Sequence, residues 1–160
     1  MINLSSAKEI GGGAFKNCKS LQMVDLSFVE KLGAEVFSGC ESIKEVILGD
    51  SLTEIFMHTF NDCKDLERIN LEKVEKIHTG AFSGCQSLRT IDLSSVTEIC
   101  DDAFAQCINL EEINLYSIEE ISTYNPFRGC DNLKLIRTTK EKEEMIRKMI
   151  QSNDVDIITD

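Results

Sequence analysis

Seven cysteines and two histidines are the side chains that could carry thiol or metal chemistry in this 160-residue chain. Six of the cysteines recur 22 or 23 residues apart, at Cys18, Cys40, Cys63, Cys85, Cys107 and Cys130. Such a series could hold disulfides, metal ligands or packed thiols. No C-x-x-C pair occurs, and equivalent positions in stacked repeats lie farther apart than a disulfide allows. We therefore predict reduced thiols packed in a core.

The seventh cysteine, Cys100, lies outside this series. It occupies the place that His78 holds one repeat earlier, Asp101 and Asp102 follow it, and His58 lies near in register. Cysteine, histidine and aspartate can form a metal or nucleophile site. The alternative is surface variation, because no third orienting group is evident. We assign no catalytic residue, metal or cofactor, and we keep a metal or thiol site at Cys100 and His78 as the minor alternative.

The cysteines belong to a repeated unit, seen best in A-F-S-G-C-Q-S-L-R-T-I-D-L at residues 81–93. A phenylalanine precedes each cysteine of the series by three residues, at Phe15, Phe37, Phe60, Phe82, Phe104 and Phe127. A period of 22 or 23 residues with an L-x-x-I-x-L core is typical of a solenoid with stacked repeats. We expect the phenylalanines to stack in one buried column.

Spacing within the unit predicts the local structure. Apolar residues at the sixth and eighth places after cysteine predict a short strand with one buried face, and a second apolar pair three residues later predicts a second extended segment. In A-F-S-G-C, Ala81, Phe82 and Cys85 would share one side of a brief helical turn. The residue before each cysteine is expected to adopt the left-handed conformation at five of six positions.

The period stops after Ile136. Met145, Ile146, Met149 and Ile150 predict an amphipathic helix, with Thr138 or Thr139 as its N-cap, and residues 155–158 predict a final strand. We divide the chain into a solenoid of about six repeats at 1–138 and a cap at 139–160. The opening residues match the second half of a repeat and lack the features of a signal peptide, so we expect that the chain begins mid-repeat.

The unit A-F-S-G-C-Q-S-L-R-T-I-D-L-S-S-V-T-E-I resembles the BspA-like, or Treponema pallidum type, leucine-rich repeats. The resemblance implies an α/β fold, a right-handed leucine-rich-repeat solenoid with a parallel sheet on one face and short helical turns on the other. It also implies a non-enzymatic protein, cell-surface or secreted, that binds other proteins or cells. The chain differs from the family pattern in two respects. The family's rim glycine is kept at Gly11 and Gly33 but is replaced in later repeats, and the proline that the family commonly has after the strand is missing.

The charge and composition of the chain restrict the kind of partner that it can bind. The net charge is −11, which disfavours binding to nucleic acid phosphates, and no apolar run is long enough to insert into a membrane. We predict a protein partner on the outward side chains of the first strands, with no cofactor. The predicted partner-binding face comprises Met23, Asp25, Glu45, Ile47, Arg68, Asn70, Thr90, Asp92, Glu112, Asn114 and Tyr116.

Ile47 and Tyr116 are the strongest members of this face, because an apolar and an aromatic side chain are expected to be exposed there. Phe56 and Met57 form a secondary rim patch. Residues Ile2 to Ser5 are a possible unpaired edge for self-association. The alternative function is a structural spacer within a larger surface protein.

Overall fold

A computed structural model describes residues 2–150 and 155–160. The described residues form a parallel β-solenoid of about seven turns. The strands are β1 (Glu9–Ile10), β2 (Met23–Leu26), β3 (Lys31–Leu32), β4 (Glu45–Leu48), β5 (Glu54–Ile55), β6 (Arg68–Ile69), β7 (Lys76–Ile77), β8 (Thr90–Ile91), β9 (Glu98–Ile99), β10 (Glu112–Asn114), β11 (Glu120–Ile121), β12 (Leu135–Thr138) and β13 (Asp156–Thr159). One helix, α1 (Glu143–Ile150), follows a 3₁₀ turn at Lys140–Lys142.

The even-numbered strands and β13 form the first sheet, in two parts ordered β2-β4-β6 and β8-β10-β12-β13. All pairs are parallel, and the register joins equivalent positions of successive repeats, as in Val24 with Val46 and Ile113 with Ile136. Burial alternates along the strands, so that Val24 and Leu26 lie inside while Met23 and Asp25 face outward. The predicted strands of the L-x-x-I-x-L core are therefore confirmed.

The odd-numbered strands from β1 to β11 form the second sheet, in parts ordered β1-β3 and β5-β7-β9-β11. Each has two residues and buries or half-buries the second, as Ile55, Ile77 and Ile99 do. The second extended segment of each repeat is thus also confirmed. The two sheets enclose one core.

The A-F-x-x-C segment is a run of tight turns and not a helix, which corrects the expected helical turn. The Ser83 amide donates to the Gly80 carbonyl at 3.1 Å, and the Cys85 amide donates to the Phe82 carbonyl at 3.2 Å. Between them, the Phe82 amide bonds the Ala103 carbonyl of the next coil at 2.8 Å. Backbone groups that a helix would use internally therefore join neighbouring coils.

Two left-handed residues per coil produce this geometry. The residue before the cysteine has positive φ in all six repeats, including Gln106 at 60°. A second such residue lies four positions earlier in five of them, and it is glycine at Gly13 and Gly80 but Glu35, His58 or Asp102 elsewhere. At Gly84, φ is 77°, and an added Cβ would lie 2.4 Å from Asp62 Oδ1.

The six phenylalanines form one stack, as predicted. Ring centroids of successive members lie 5.2–5.6 Å apart with interplanar angles of 4–14°. Phe37, Phe60, Phe82 and Phe104 are fully buried, whereas Phe15 in the first coil is only half-buried.

The C-terminal segment continues the first sheet by a strand-helix-strand crossover. β13 pairs with β12 in parallel, and α1 buries Ile146 and Met149. Neither threonine acts as a side-chain cap: Thr138 Oγ1 donates to the Leu115 carbonyl at 3.0 Å, while Thr139 holds the N-cap position without a side-chain hydrogen bond. The division at residue 138 stays a prediction.

Candidate interaction site

An open groove of about 710 Å³ lies on the outward face of the first sheet. Eight of the eleven predicted face residues line it: Glu45, Ile47, Arg68, Asn70, Thr90, Asp92, Glu112 and Asn114. Parallel register brings equivalent positions of successive coils side by side, so residues about 22 apart in sequence become neighbours. We call this surface the sheet groove.

Two ion pairs stand on either side of the centre of the sheet groove. Arg68 Nε lies 3.4 Å from Glu45 Oε1, and Arg137 Nε lies 2.5 Å from Glu112 Oε1. Arg68 is 61% exposed and the other three side chains are 31–41% exposed. Ion pairs that water reaches contribute little to stability and can exchange for a partner's charge.

Asp92 lies between these pairs. Its Oδ1 accepts bonds from the Ser94 amide at 2.9 Å and from Asn114 Nδ2 at 2.8 Å. The Ser94 amide, and after it the Asn114 side chain, lower the pKa of the Asp92 carboxyl. The anionic form is therefore favoured.

Two of the predicted contact residues also hold the fold together. Asn70 Oδ1 accepts from the Leu48 amide at 2.7 Å, and its Nδ2 donates to the Leu48 carbonyl at 3.1 Å. Asn114 Oδ1 accepts from the Leu93 amide at 2.6 Å. These amides satisfy backbone groups where the short strands end, so they are less free to bind a partner than Ile47 or Asp92.

Met23 and Asp25 lie beyond the sheet groove, at the N-terminal end of the first sheet. With Phe28 and residues 2–5 they line a separate cavity of about 300 Å³. Phe28 is 57% exposed, and its apolar character at a place held by Asp50 and Lys73 in later repeats could have marked it in the sequence.

The expected edge at residues 2–5 is not a strand. Asn3 Oδ1 accepts bonds from the Ser5 amide and hydroxyl at 3.0 and 2.8 Å, and Ile2 and Leu4 pack against the core. Self-association through this segment stays a prediction.

Tyr116 is half-buried, which corrects its expected exposure. Its hydroxyl donates to Asp160 Oδ2 at 3.0 Å, and its carbonyl accepts from Lys142 Nζ at 2.6 Å. The C-terminal segment folds back over this end of the sheet and engages the residue. Glu67, which was not predicted, does line the sheet groove and lies 3.2 Å from Arg68 Nη1.

The rim patch is exposed, with Phe56 at 39% and Met57 at 48%. The Phe56 ring stacks on the His78 ring with centroids 5.1 Å apart and an interplanar angle of 11°. His78 Nε2 in turn lies 2.7 Å from Glu54 Oε2.

The side chains around Cys100 do not converge on one point. Cys100 Sγ lies 3.7 Å from Glu98 Oε1, His78 contacts Glu54, and Asp102 pairs with Arg128 at 3.0 Å. Burial, and then the Glu98 carboxylate, raise the pKa of the Cys100 thiol, the opposite of what an activated nucleophile needs. Across residues 2–150 and 155–160, no three Cys, His, Asp or Glu side chains are placed to hold a metal ion.

The repeat geometry agrees with a known family. The model of the BspA type leucine-rich repeat region matches residues 8–134 in six copies. The chain belongs to this family. Its fold is the leucine-rich-repeat solenoid, a scaffold that is typically non-enzymatic.

Three solved structures are similar. A leucine-rich repeat protein from Bacteroides ovatus is 30% identical with a TM-score of 0.84, over 96% of this chain and 40% of that protein. The leucine-rich repeat protein of Treponema pallidum is 28% identical with a TM-score of 0.70, over 88% and 76%. A leucine-rich cell surface protein from Faecalibacterium prausnitzii is 25% identical with a TM-score of 0.59, over 92% and 34%.

The chain thus spans well under half of the Bacteroides and Faecalibacterium proteins. Comparison with curated proteins gives no match. Within the described residues, the helical structure is too short and too polar to cross a bilayer.

Proposed function

We propose that this chain is a non-enzymatic module that binds another protein through the sheet groove. The observation that carries the proposal is the convergence of eight outward side chains, from four successive coils, on one open groove of about 710 Å³. The groove combines exposed apolar area at Ile47, exchangeable ion pairs and the carboxylate of Asp92. Protein interfaces combine such apolar contacts with a polar surround.

A cell-surface location is part of the proposal. One similar structure is that of a leucine-rich cell surface protein, and attachment to other proteins or cells would suit a module of this kind. An acidic chain of net charge −11 favours basic partners over nucleic acid.

The test uses a variant that changes the sheet groove without changing its strands. Ile47→Thr keeps a β-branched side chain, and Asp92→Asn keeps the acceptor that bonds the Ser94 amide. The immobilised protein is exposed to a detergent extract of cell-surface proteins, and the retained proteins are identified by mass spectrometry. We expect the unaltered protein to retain a partner that the double variant loses.

Lys73→Gln is the matched control, because Lys73 is exposed and lies outside the sheet groove. A partner retained equally by all three proteins would contradict binding through this groove. Retention of no protein at all would favour the alternative function, a spacer within a longer surface protein.

A further inference from the structure

A second groove, of about 570 Å³, lies over the N-terminal part of the second sheet. Gly11, Gly33 and Ala34 line it together with the larger apolar residues Ile10, Leu32 and Leu52. Phe56 forms one wall. We call this groove the glycine slot; it shares no lining residue with the sheet groove.

The slot exists because a short stack of two rings, His78 and Phe56, ends at Phe56. At the position just after each strand of the second sheet, successive repeats carry Gly11, Gly33, Phe56, His78, Cys100 and Ser122. One face of the Phe56 ring is covered by the His78 ring at 5.1 Å. The two preceding repeats supply no side chain, so the other ring face is left to the slot.

This stacking distance is within 0.1 Å of the 5.2–5.6 Å range between rings in the buried phenylalanine column. A planar group stacked on the open face of Phe56 would therefore extend the column by one coil spacing. The coil next to Phe56 carries Gly33, where an added Cβ would lie 2.5 Å from the Gly12 nitrogen, so this coil cannot itself place a side chain against the ring. Open space lies one coil further on, at Gly11, where an added Cβ would meet no atom within 4 Å.

The charged side chains that line the slot determine which kind of planar group could bind there. Three carboxylates, those of Glu9, Glu30 and Glu54, line the slot, against one ammonium, that of Lys31. Lys31 is 2.6 Å from Glu9, while Glu30 pairs with Lys8 at 2.8 Å and Glu54 contacts His78. Most of these side chains are more than half exposed, so their pairs can rearrange around an incoming cation.

We propose that the glycine slot binds the guanidinium of an arginine in a basic segment of another protein. A guanidinium is planar and cationic, so it can stack on the Phe56 ring while its edge donates hydrogen bonds to carboxylates. An ammonium has no flat face to stack, and a neutral ring has no charge for the carboxylates. The proposal does not depend on binding at the sheet groove.

The test is a titration of isotope-labelled full-length protein, followed by the backbone amide signals in NMR spectra. The probe is a blocked tripeptide, glycyl-arginyl-glycine. The matched probes replace the arginine by lysine, which is cationic but not planar, or by citrulline, which is planar but neutral. We expect the arginine peptide to shift the signals of Gly11 and Gly33, and both other peptides to bind several-fold more weakly.

Variants then locate the site. Phe56→Ala is expected to weaken binding by about three- to fivefold, in line with an exposed cation–π contact. Glu30→Gln is expected to weaken binding of the arginine peptide, because it removes one of the three carboxylates that line the slot. Met57→Ala is the control, because Met57 is an exposed neighbour that does not line the slot.

Circular dichroism would confirm that each variant remains folded. Equal binding of the citrulline peptide, unchanged binding by Phe56→Ala, or shifts confined to the sheet groove would each overturn the proposal. None of these outcomes bears on the sheet-groove test.

Discussion

Each buried cysteine in the repeat has a bonding role that its spacing alone does not reveal. The thiols of Cys40, Cys63, Cys85, Cys107 and Cys130 lie 3.0–3.3 Å from the carbonyl of the phenylalanine 25 or 26 residues earlier. A small apolar side chain that can also donate one weak bond suits this position. The seven cysteines are all free in the structure.

Thiol reactivity should divide these cysteines into two groups. Cys18 and Cys100 are half-buried, whereas the other five are buried, and burial raises the pKa of thiols such as that of Cys63. At pH 8, native protein treated with iodoacetamide should be labelled mainly at Cys18 and Cys100, and denatured protein at seven sites, as measured by mass spectrometry of peptides. Rapid labelling of Cys85 in the native protein would contradict the packed column.

Stability should fall in alkaline solution as thiols titrate. Burial raises the pKa of Cys40 to about 11, above about 8.5 for an unfolded thiol. Because the folded pKa is the higher one, this stabilisation is complete below about pH 8.5 and is lost as pH rises through about 11. Urea unfolding across this range should show a decreasing free energy of unfolding.

Cys40→Ala should make the free energy of unfolding fall less steeply with pH, by up to about the slope that one titrating proton contributes. Val36→Ala, which truncates a buried side chain in the same coil, should lower stability without changing the slope. Identical slopes in the Cys40 variant and the unaltered protein would count against the raised pKa.

At the scale of elements, the phenylalanine stack joins the coils. Phe82 is fully buried between Phe60 and Phe104, with centroid distances of 5.5 and 5.2 Å. Phe82→Ala should cost about 3–5 kcal/mol of unfolding free energy, because it leaves a cavity in the column. Exposed Glu75 provides the control, and Glu75→Ala should cost less than about 0.5 kcal/mol. Similar losses in urea unfolding would refute a shared aromatic column.

The side-chain amides at the strand ends also stabilise the strands, because they bond backbone groups there. Asn70 satisfies both backbone groups of Leu48, so Asn70→Ala leaves a donor and an acceptor with only solvent as a substitute. We expect a loss of about 1–3 kcal/mol in urea unfolding. Gln22→Ala, at an exposed side chain near β2, is the control and should change stability little.

For the whole molecule, the C-terminal segment covers one end of the solenoid. β13 occupies the outer edge of β12 through four register pairs, and Ile146 and Met149 of α1 are buried. Removing residues 139–160 would expose a four-residue strand edge beside an apolar end surface. We expect this shortened protein to associate, as measured by size-exclusion chromatography with light scattering. A stable monomer at the same concentration would show that the solenoid needs no such cover.

The sequence by itself determined the repeat and its consequences. The phenylalanine and cysteine columns, both strand segments and the crossover after Ile136 follow from local periodicity, because a repeated apolar pattern can be buried only by stacking. Most of the sheet groove followed as well, since outward positions alternate with buried ones along each strand. The left-handed residue before each cysteine was also predictable at Gly39 and Gly84, where side-chain sterics favour glycine.

Only the tertiary structure decided the rest. The A-F-x-x-C turn is not helical because alternate amides, such as those of Phe82 and Gly84, bond the next coil, and the left-handed conformation at Glu35 has no local signal. Tyr116 is engaged because Asp160, 44 residues away, reaches its hydroxyl. The glycine slot likewise depends on which coils lie side by side. Contacts between residues distant in sequence are set by how the coils stack, and a one-dimensional pattern does not specify each of them.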